Sequence, residues 1–292
     1  MFLQQVINGL TIGSTYALVA LGYSMVFGVL ELVNFANGAV YMLGGFTTLM
    51  FYMGTRCNFW LAFLVGIIVT GIVGFCIDRF GLRRLRKKKV PKVTGLITTL
   101  GISTVIENFV RVFWGSETKP FPNMIDFGRF QIGSATVGWS QIIIFATSAV
   151  LMLATSLLVY KTKTGKAMLA ISQNQEAAKL MGIDVDFIIS VTFVISAVLA
   201  AISGTLVGMY DQSIDSTMGY SVGMKTLASA VLGGVGVLPG AMVGGLLMGL
   251  FEALGSSYVS SGYRNAISFA ILIIVILFKP AGLFGKKQIN KV

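Results

Sequence analysis

The stretch FWLAFLVGIIVTGIVGFCIDRFGLRRLRKKKVPK, residues 59–92, decides the fold because it joins a long apolar segment to a strongly basic one. The apolar part, Phe59 to Phe80, reaches the roughly 20 residues that an α-helix needs to cross a bilayer. The positive-inside rule assigns the basic residues that follow to the cytoplasm. They are Arg79, Arg83, Arg84, Arg86, Lys87, Lys88, Lys89 and Lys92. This stretch predicts one membrane span and the side of the membrane on which it ends.

The composition of the whole chain extends this prediction to many spans. Hydrophobic residues make up 55% of the 292 positions, charged residues only 11%, and the mean hydropathy is +0.84. The apolar segments are long and do not alternate with polar positions, so they argue against a membrane β-barrel. We therefore expect an all-α fold, a polytopic transmembrane helix bundle that forms a single domain over residues 1–292.

The apolar segments divide the chain into eight or nine expected spans. The two short Gly-rich segments either cross the membrane twice or form a re-entrant pair, which has the same parity. The expected segments are Val6 to Leu30, Phe35 to Met53, Phe59 to Phe80, Val93 to Trp114, Trp139 to Tyr160, Phe187 to Tyr210, Val222 to Val237, Pro239 to Leu254 and Asn265 to Phe278.

Three clusters of basic residues give one consistent orientation in the membrane. Three spans precede the cluster after Phe80, so the N-terminus is expected in the periplasm. The residues from Met1 to Gln5 carry no positive charge, so the first apolar segment is expected to be a retained span. The segment from Gly115 to Gly138 becomes the longest periplasmic loop, either a docking surface or a plain connection. The other two cytoplasmic clusters are Lys161, Lys163, Lys166 and Lys179, and the C-terminal Lys279, Lys286, Lys287 and Lys291.

Several functions are excluded by the same sequence. The net charge of +11 lies at the ends of apolar segments rather than on one basic face, which argues against nucleic-acid binding. The chain has no histidine, and Cys57 and Cys76 lack the spacing of a metal site. The Gly-rich region from Leu232 to Gly245 is no P-loop, because no Lys-Ser or Lys-Thr pair follows its glycines. We expect neither a metal site nor a nucleotide site in this chain.

The glycines of this region are interpreted instead as helix-packing residues. Their spacing of four, which recurs elsewhere in the chain, lets two membrane helices approach closely. The pairs are Gly240 with Gly244, Gly245 with Gly249, and Gly204 with Gly208. A second interpretation is that Pro239 and its glycines break a helix beside the transport path and expose backbone dipoles there.

Charged residues near the spans are few and are candidates for function because a charge in hydrocarbon is costly. Glu107 and Arg111 are four residues apart, so we expect them to neutralise each other on one helix face. Glu31 and Glu252 lie near the ends of expected spans. If the protein were an ion-coupled secondary transporter or a channel, one of the three glutamates would be its coupling group.

The cytoplasmic loop 161–186 is predicted to contain a short helix. Ser172 and Gln175 match a capping box, and Glu176 suits the positive N-terminal end of the helix dipole. Lys179 suits the opposite end, and Gly182 the position just after it. So short a helix is marginal in water, so we expect it to pack on the membrane domain or on a partner. Leu180, Met181 and Ile183 supply apolar contact.

The spacing Glu176-Ala177-Ala178 to Gly182 resembles the coupling motif of bacterial ABC importer permeases, whose short helix docks on the ATPase. The chain lacks the Ile-x-Leu-Pro ending of the wider pattern and has Thr192, Phe193, Val194 and Ile195 there. Over nearly its whole length it is similar to LivH-type permeases of branched-chain amino acid importers. The similarity rests on three blocks, Asn8 to Leu18, Val33 to Met42, and Ala230 to Gly234 with Pro239 to Ala241.

The resemblance implies a bacterial inner-membrane subunit that moves leucine, isoleucine or valine inward and is not itself an enzyme. Its implied partners are a second homologous permease subunit, two ATPase subunits that hold ATP and Mg, and a periplasmic substrate-binding protein. Relatives carry urea or short amides, and family members usually have His and Glu where this chain has Asn37 and Ala39. The substrate therefore stays open between branched-chain amino acids and urea or short amides.

The resemblance also assigns roles to particular residues. It assigns coupling to the ATPase to Glu176, Ala177, Ala178 and Gly182. For the substrate path we expect polar groups and free backbone that suit a zwitterion, with a purely structural role as the alternative for each. These path residues are Tyr16, Asn34, Asn37, Gly234, Gly236, Pro239 and Gly240.

Overall fold

A computed structural model describes residues 2–55, 58–88, 90–122, 128–132, 135–258, 260–279 and 281–285. Helices account for most of these residues, as predicted. They are α1 Phe2–Leu30, α2 Ala36–Thr55, α3 Phe59–Cys76, α4 Arg83–Lys87, α5 Lys92–Trp114, α6 Trp139–Lys161, α7 Lys163–Gln173, α8 Gln175–Leu180, α9 Val185–Asp211, α10 Met218–Gly233, α11 Leu238–Tyr258 and α12 Arg264–Phe278. Lys89 and the C-terminal Lys286, Lys287 and Lys291 lie outside the described residues, as does Cys57.

Within the described ranges, six helical stretches are long and apolar enough to cross a membrane. They are α1, α3 with its extension, α5, α6, α9 and α11. The helices α10 and α12 are shorter, with 16 and 15 residues. A short α10 agrees with the sequence, which predicts a short span before the Gly-rich break. The prediction of a polytopic all-α bundle with short and broken Gly-rich helices is confirmed.

The helix α3 does not stop at Phe80, where the apolar run ends. One π-helical turn, Ile77–Leu82, carries it directly into α4, so a single helical rod reaches Lys87. A π-turn shifts the side chains around the helix axis relative to an α-helix. In this turn the rod has two distinct faces. Asp78 and Leu82 are buried on the inner face, and Arg79 and Phe80 are exposed on the outer face.

The core of the bundle forms around α1, whose middle turns are buried on all sides. Glycines let α11 lie directly against it: a Cβ on Gly245 would come within 2.3 Å of the Ala17 Cα. A Cβ on Gly249 would come within 2.2 Å of the Gly13 Cα. Lipid offers no hydrophobic force to press helices together, so such close backbone packing supplies much of the association.

The other predicted glycine pairs also lie at crowded helix contacts. A Cβ on Gly244 would meet the Ser229 carbonyl of α10, and a Cβ on Gly204 the Tyr41 carbonyl of α2. Gly240 faces Gly233 across the break between α10 and α11. Gly208 instead lies against Ile214 and Phe121, which belong to no helix. The interpretation as helix-packing residues is confirmed for the other glycines of these pairs and is wrong for Gly208.

Opposite ends of the bundle carry different connections. At one end, β1 Lys119–Pro120 pairs antiparallel with β4 Ser213–Ile214, and β2 Arg129–Ile132 with β3 Ala135–Gly138. Gln4, near the start of α1, joins this end because its side chain bonds the Thr136 backbone at 2.7 and 3.0 Å. The other end holds the last turn of α1, the rod of α3 and α4, and the loop 161–186.

One expected pairing is wrong. Glu107 and Arg111 form no ion pair among the described residues. Glu107 instead accepts a hydrogen bond from the Ser103 hydroxyl one turn earlier, at 3.2 Å. A serine four residues away on α5 competes for the same carboxylate with less loss of side-chain entropy than a long arginine.

The contact of α1 with α11 predicts that Gly249→Leu destabilises the protein. The new side chain has no room beside the Gly13 backbone, so the helices must separate, and overpacking of this kind costs about 1–3 kcal/mol. Thermal unfolding in detergent measures the effect. Gly101→Leu is the matched control, because nothing lies within 4 Å of a Cβ at that position of α5. Equal unfolding temperatures for the two variants would contradict the close packing.

Candidate coupling loop and substrate path

The loop 161–186 contains two helices, α7 and α8, where the sequence predicts one. The expected cap, Ser172, is wrong: it lies inside α7 and its hydroxyl donates to the Leu169 carbonyl at 2.7 Å. Asn174 is the actual cap of α8, and its side-chain oxygen accepts from the backbone N–H groups of Glu176 and Ala177 at 2.9 and 3.0 Å. Asparagine is among the best N-cap residues, so the local sequence accounts for this start.

The end of α8 is a complete glycine stop signal. Gly182 has φ +80°, a backbone conformation that costs little only for glycine. Its N–H donates to the Lys179 carbonyl at 3.0 Å, and the Ile183 N–H donates to the Ala178 carbonyl at 3.1 Å. These two bonds form a Schellman motif, which fixes the direction in which the chain leaves the helix. The predicted position of Gly182 just after the helix is confirmed.

The side chains of α8 separate into an inner and an outer set. Ala178 is buried in the main core cluster and Ile183 packs against it. Glu176 and Ala177 are exposed, and Leu180 and Met181 have 89% and 82% of their surface exposed. Two neighbouring, almost fully exposed apolar side chains in a polar loop are typical of a surface that a partner protein covers.

Polar contacts anchor the start of α8 and the first turn of α9 to the bundle. The Gln175 side chain donates to the Val29 carbonyl at 3.1 Å, which satisfies one free acceptor at the end of α1. Beyond α8, Asp186 lies in the first turn of α9 and pairs with Arg83 at 2.9 Å and Arg86 at 3.3 Å, both on α4. Gln175 therefore ties α8 directly to α1, and Asp186 ties the start of α9 to α4.

The ion pairs on α4 continue into a buried carboxylate. Asp78 is fully buried and receives Arg86 at 2.6 Å and the Ser190 hydroxyl of α9 at 2.5 Å. Sequence reasoning missed this network, although an aspartate inside an apolar run is a signal that a partner must exist. Breaking a buried pair by removing one member costs about 3–5 kcal/mol, so the network holds α3, α4 and α9 firmly.

A second buried cluster surrounds Glu252 of α11, one of the charged residues singled out by the sequence. Tyr16 of α1 donates to it at 3.2 Å, Lys225 of α10 at 2.9 Å, and Ser268 of α12 at 3.4 Å, and Arg264 forms an ion pair with it. Lys225 and Arg264 did not emerge from the sequence, since the pattern of single helices cannot show which charges from different helices meet. The cluster joins four helices through one carboxylate.

The two asparagines of the expected path, Asn34 and Asn37, differ in the hydrogen bonds that their side chains form. Asn34 is buried two residues before α2, and its side-chain oxygen accepts from the Ala36 N–H in the first turn at 3.2 Å. Asn37 is also buried, and its oxygen accepts from the Ser196 hydroxyl at 3.0 Å. Its Nδ2 group has no hydrogen-bond partner among the described residues. Ser196 lies about 17 Å along α9 from its start, so this open donor is deep inside the bundle.

The break between α10 and α11 spans Gly234 to Val237. Gly234 and Gly236 have φ +110° and +80°, and Pro239 lies in the first turn of α11, where its missing N–H costs no helix bond. The carbonyls at the end of α10 accept from the C-terminal segment, Leu232 from Leu283 at 2.9 Å and Gly233 from Phe284 at 3.0 Å. The predicted break between the helices exists. The carbonyl groups of Leu232 and Gly233 already accept hydrogen bonds within the protein.

The expected path residues do not form one site. Gly236 lies beside Gly28 of α1, whereas Tyr16 is twelve residues earlier, about 18 Å away along the helix. Asn37 lies between these levels, on the opposite side of α1 from α11. Among the described residues no group of His, Cys, Asp and Glu has an arrangement that could hold a metal ion. The arrangement is that of a layered bundle with polar groups at several depths.

Comparison with known proteins agrees with this arrangement. The family model for the permease component of branched-chain amino acid transport systems matches residues 5–276. The chain is 38% identical to the high-affinity branched-chain amino acid transport system permease protein LivH of Escherichia coli, and 37% identical to the corresponding BraD protein of Pseudomonas aeruginosa. Each match covers 100% of this chain and 98% of the relative.

A solved structure shares the fold at low sequence identity. It is described as PsaBC from Streptococcus pneumoniae in complex with Fab, with a TM-score of 0.51 and 15% identity over 97% of this chain and 94% of that one. The relatives of high identity are named as transport permeases, which agrees with a non-enzymatic membrane component of a transporter complex. The chain belongs to the family of permease components of branched-chain amino acid transport systems.

Proposed function

We propose that this chain is the membrane-spanning subunit of an ATP-driven importer that moves leucine, isoleucine or valine across the inner membrane. The observation that carries the proposal is the exposed, doubly capped helix α8, which leaves Leu180 and Met181 uncovered at the same end of the bundle as α4. The full-length relatives named for branched-chain amino acids favour these substrates over urea or short amides.

The complex that follows contains a second homologous permease, two ATPase subunits and a periplasmic binding protein. ATP and Mg belong to the ATPase subunits, because the glycine-rich region of this chain lacks the Lys-Ser or Lys-Thr pair of a phosphate loop. The helix α8, with Glu176, Ala177 and Ala178 and ended by Gly182, docks on the ATPase. Closure of the ATPase pair then moves α8, and the bonds of Gln175 and Asp186 transfer that movement to α1, α4 and α9.

The orientation follows from the distribution of basic residues between the two ends of the bundle. The end that holds α4 and α8 carries Arg83, Arg84 and Lys179, so it faces the cytoplasm, together with the C-terminus. The end with the β-strands and Gln4 then faces the periplasm with the N-terminus. The delivered amino acid enters from the strand end.

The substrate path in this proposal runs past the two places where polar groups are buried deeply. The open Nδ2 of Asn37 suits a carboxylate or carbonyl oxygen, and the mutually paired group of Glu252, Tyr16 and Lys225 forms a second polar layer along the path. The backbone from Gly234 to Gly240 lies farther along α1, toward the cytoplasmic end. An ion-coupled mechanism is less well supported, because Lys225 and Arg264 already neutralise Glu252.

Uptake of leucine in proteoliposomes that contain the complete complex should require ATP and resist a protonophore. ATP hydrolysis on the partner subunits supplies the energy, so collapse of the proton gradient leaves the rate unchanged. Radiolabelled leucine, valine and urea are compared in the same vesicles with binding protein present. Loss of uptake on addition of the protonophore would favour the ion-coupled transporter, and selective uptake of urea would reassign the substrate.

Glu176→Lys and Gly182→Leu should each abolish most leucine uptake while the permease stays folded in the membrane. The first change reverses a charge at the helix start, and the second places a side chain at φ +80°, which costs about 1–2 kcal/mol and unwinds the end of α8. Uptake and the amount of co-purified ATPase are the two measurements.

The matched controls are Glu176→Asp and Gly54→Leu. Aspartate keeps the charge at the helix start, and Gly54 is a helical glycine with open space and ordinary φ. Both controls should keep near-normal uptake. If Glu176→Lys and Gly182→Leu also kept normal uptake, α8 would have no coupling role.

A further inference from the structure

The outer face of the rod formed by α3 and α4 ends in a basic cavity. Five side chains line this cavity of about 370 Å³, namely Arg79, Phe80, Arg83, Arg84 and Lys87. Its volume falls in the range of about 300–1,000 Å³ in which small ligands bind. Four of the five side chains are cationic, so the cavity is suited to an anion.

Most of the basic side chains of the cavity are not paired with acidic side chains of the protein. Arg83 pairs with Asp186, but the side chains of Arg79, Arg84 and Lys87 form no ion pair or hydrogen bond among the described residues. Arg86 of the same rod faces inward to Asp78 and lies outside the cavity. The rod thus separates cations that hold the bundle together from cations that face outward without a counter-charge.

The position of the cavity indicates where its anion comes from. Exposed apolar side chains run along the same face of α3 at helical spacing, Ile68, Ile72 and Phe75, and the next position in this row is Arg79. In a membrane protein such a row lies against lipid acyl chains. Phe80, with 64% of its surface exposed, continues this apolar surface up to the basic side chains of the cavity.

From this geometry we propose that the cavity binds the headgroup of an anionic phospholipid, with its acyl chains along Ile68, Ile72 and Phe75. Arginine side chains bind phosphate oxygens through paired N–H groups, and basic pockets at the cytoplasmic ends of membrane helices are suited to acidic headgroups. The bound lipid adds a counter-charge beside Arg83, and so beside the ion pair that anchors α9. This site is independent of the coupling role proposed for α8.

Native mass spectrometry of the full-length permease in detergent tests the site with phosphatidylglycerol and phosphatidylcholine of identical acyl chains. Phosphatidylglycerol should bind about tenfold more tightly than phosphatidylcholine, since only its headgroup brings a net negative charge to the basic side chains. The triple variant Arg79→Gln, Arg84→Gln, Lys87→Gln should lose this preference. The charge-keeping variant Arg79→Lys, Arg84→Lys should retain most of it.

The matched control neutralises three exposed cations at the same end of the bundle, Lys161→Gln, Lys163→Gln and Lys166→Gln. It should keep the lipid preference, and both triple variants should keep the unfolding temperature of the parent. If both triple variants lost the preference for phosphatidylglycerol equally, the preference would depend only on the net charge of this end of the bundle. That result would overturn the proposed site. Retained lipid preference in the Arg79 triple variant, with loss of the ATPase on co-purification, would identify the face as a protein-docking surface instead.

Soluble glycerol 3-phosphate separates a lipid from a free phosphate compound. It carries the anion without acyl chains and should not displace phosphatidylglycerol at equal concentration. Complete displacement would assign the cavity to a soluble phosphate ligand and overturn the proposed lipid site.

Discussion

A carboxylate inside a membrane bundle needs donors from several helices, and Asp78 and Glu252 fix where those helices meet. Asp78 brings Arg86 and Ser190 to one point, so the rod of α3 and α4 cannot slide along α9 without exposing a charge to hydrocarbon. Glu252 does the same for α1, α10, α11 and α12 through Tyr16, Lys225 and Arg264. Between these two points the helices can pack closely, because glycines such as Gly245 and Gly249 remove side chains from the contacts.

The loop 161–186 gains its order from the same constraint. The helix α8 has only six residues and would not persist alone in water. Asn174 and Gly182 close its two ends, and the bonds of Gln175 and Asp186 join it to helices that buried charges already hold. What remains uncovered, Leu180 and Met181, is the surface that the proposed ATPase partner would cover. A helix fixed at its base and open at its tip suits the transfer of a movement into the bundle.

Features that depend on one stretch of chain could be predicted from the sequence. The apolar runs predicted the helices of the bundle, and six of the nine expected spans match described helices that are long and apolar enough to cross a membrane. The glycine spacing predicted most of the close helix contacts, and Gly182 predicted the end of α8. The start of α8 was misplaced because Ser172 and Asn174 are both good caps, and the extension of α7 through Gln173 decides between them. Contacts between helices far apart in sequence were missed for a different reason. Periodicity shows which face of a helix is apolar, but not that Lys225 and Arg264 reach the carboxylate of Glu252.

The ratio of leucine transported to ATP hydrolysed in the reconstituted complex tests the central claim most directly. Asp186→Asn removes the charge that pairs α9 with Arg83 and Arg86, so hydrolysis should continue while this ratio falls about fivefold or more. Asp184→Asn is the matched control: Asp184 caps α9 by accepting from the Phe187 N–H, and asparagine caps equally well. An unchanged ratio in Asp186→Asn would contradict the view that these ion pairs carry the movement from α8 into the bundle.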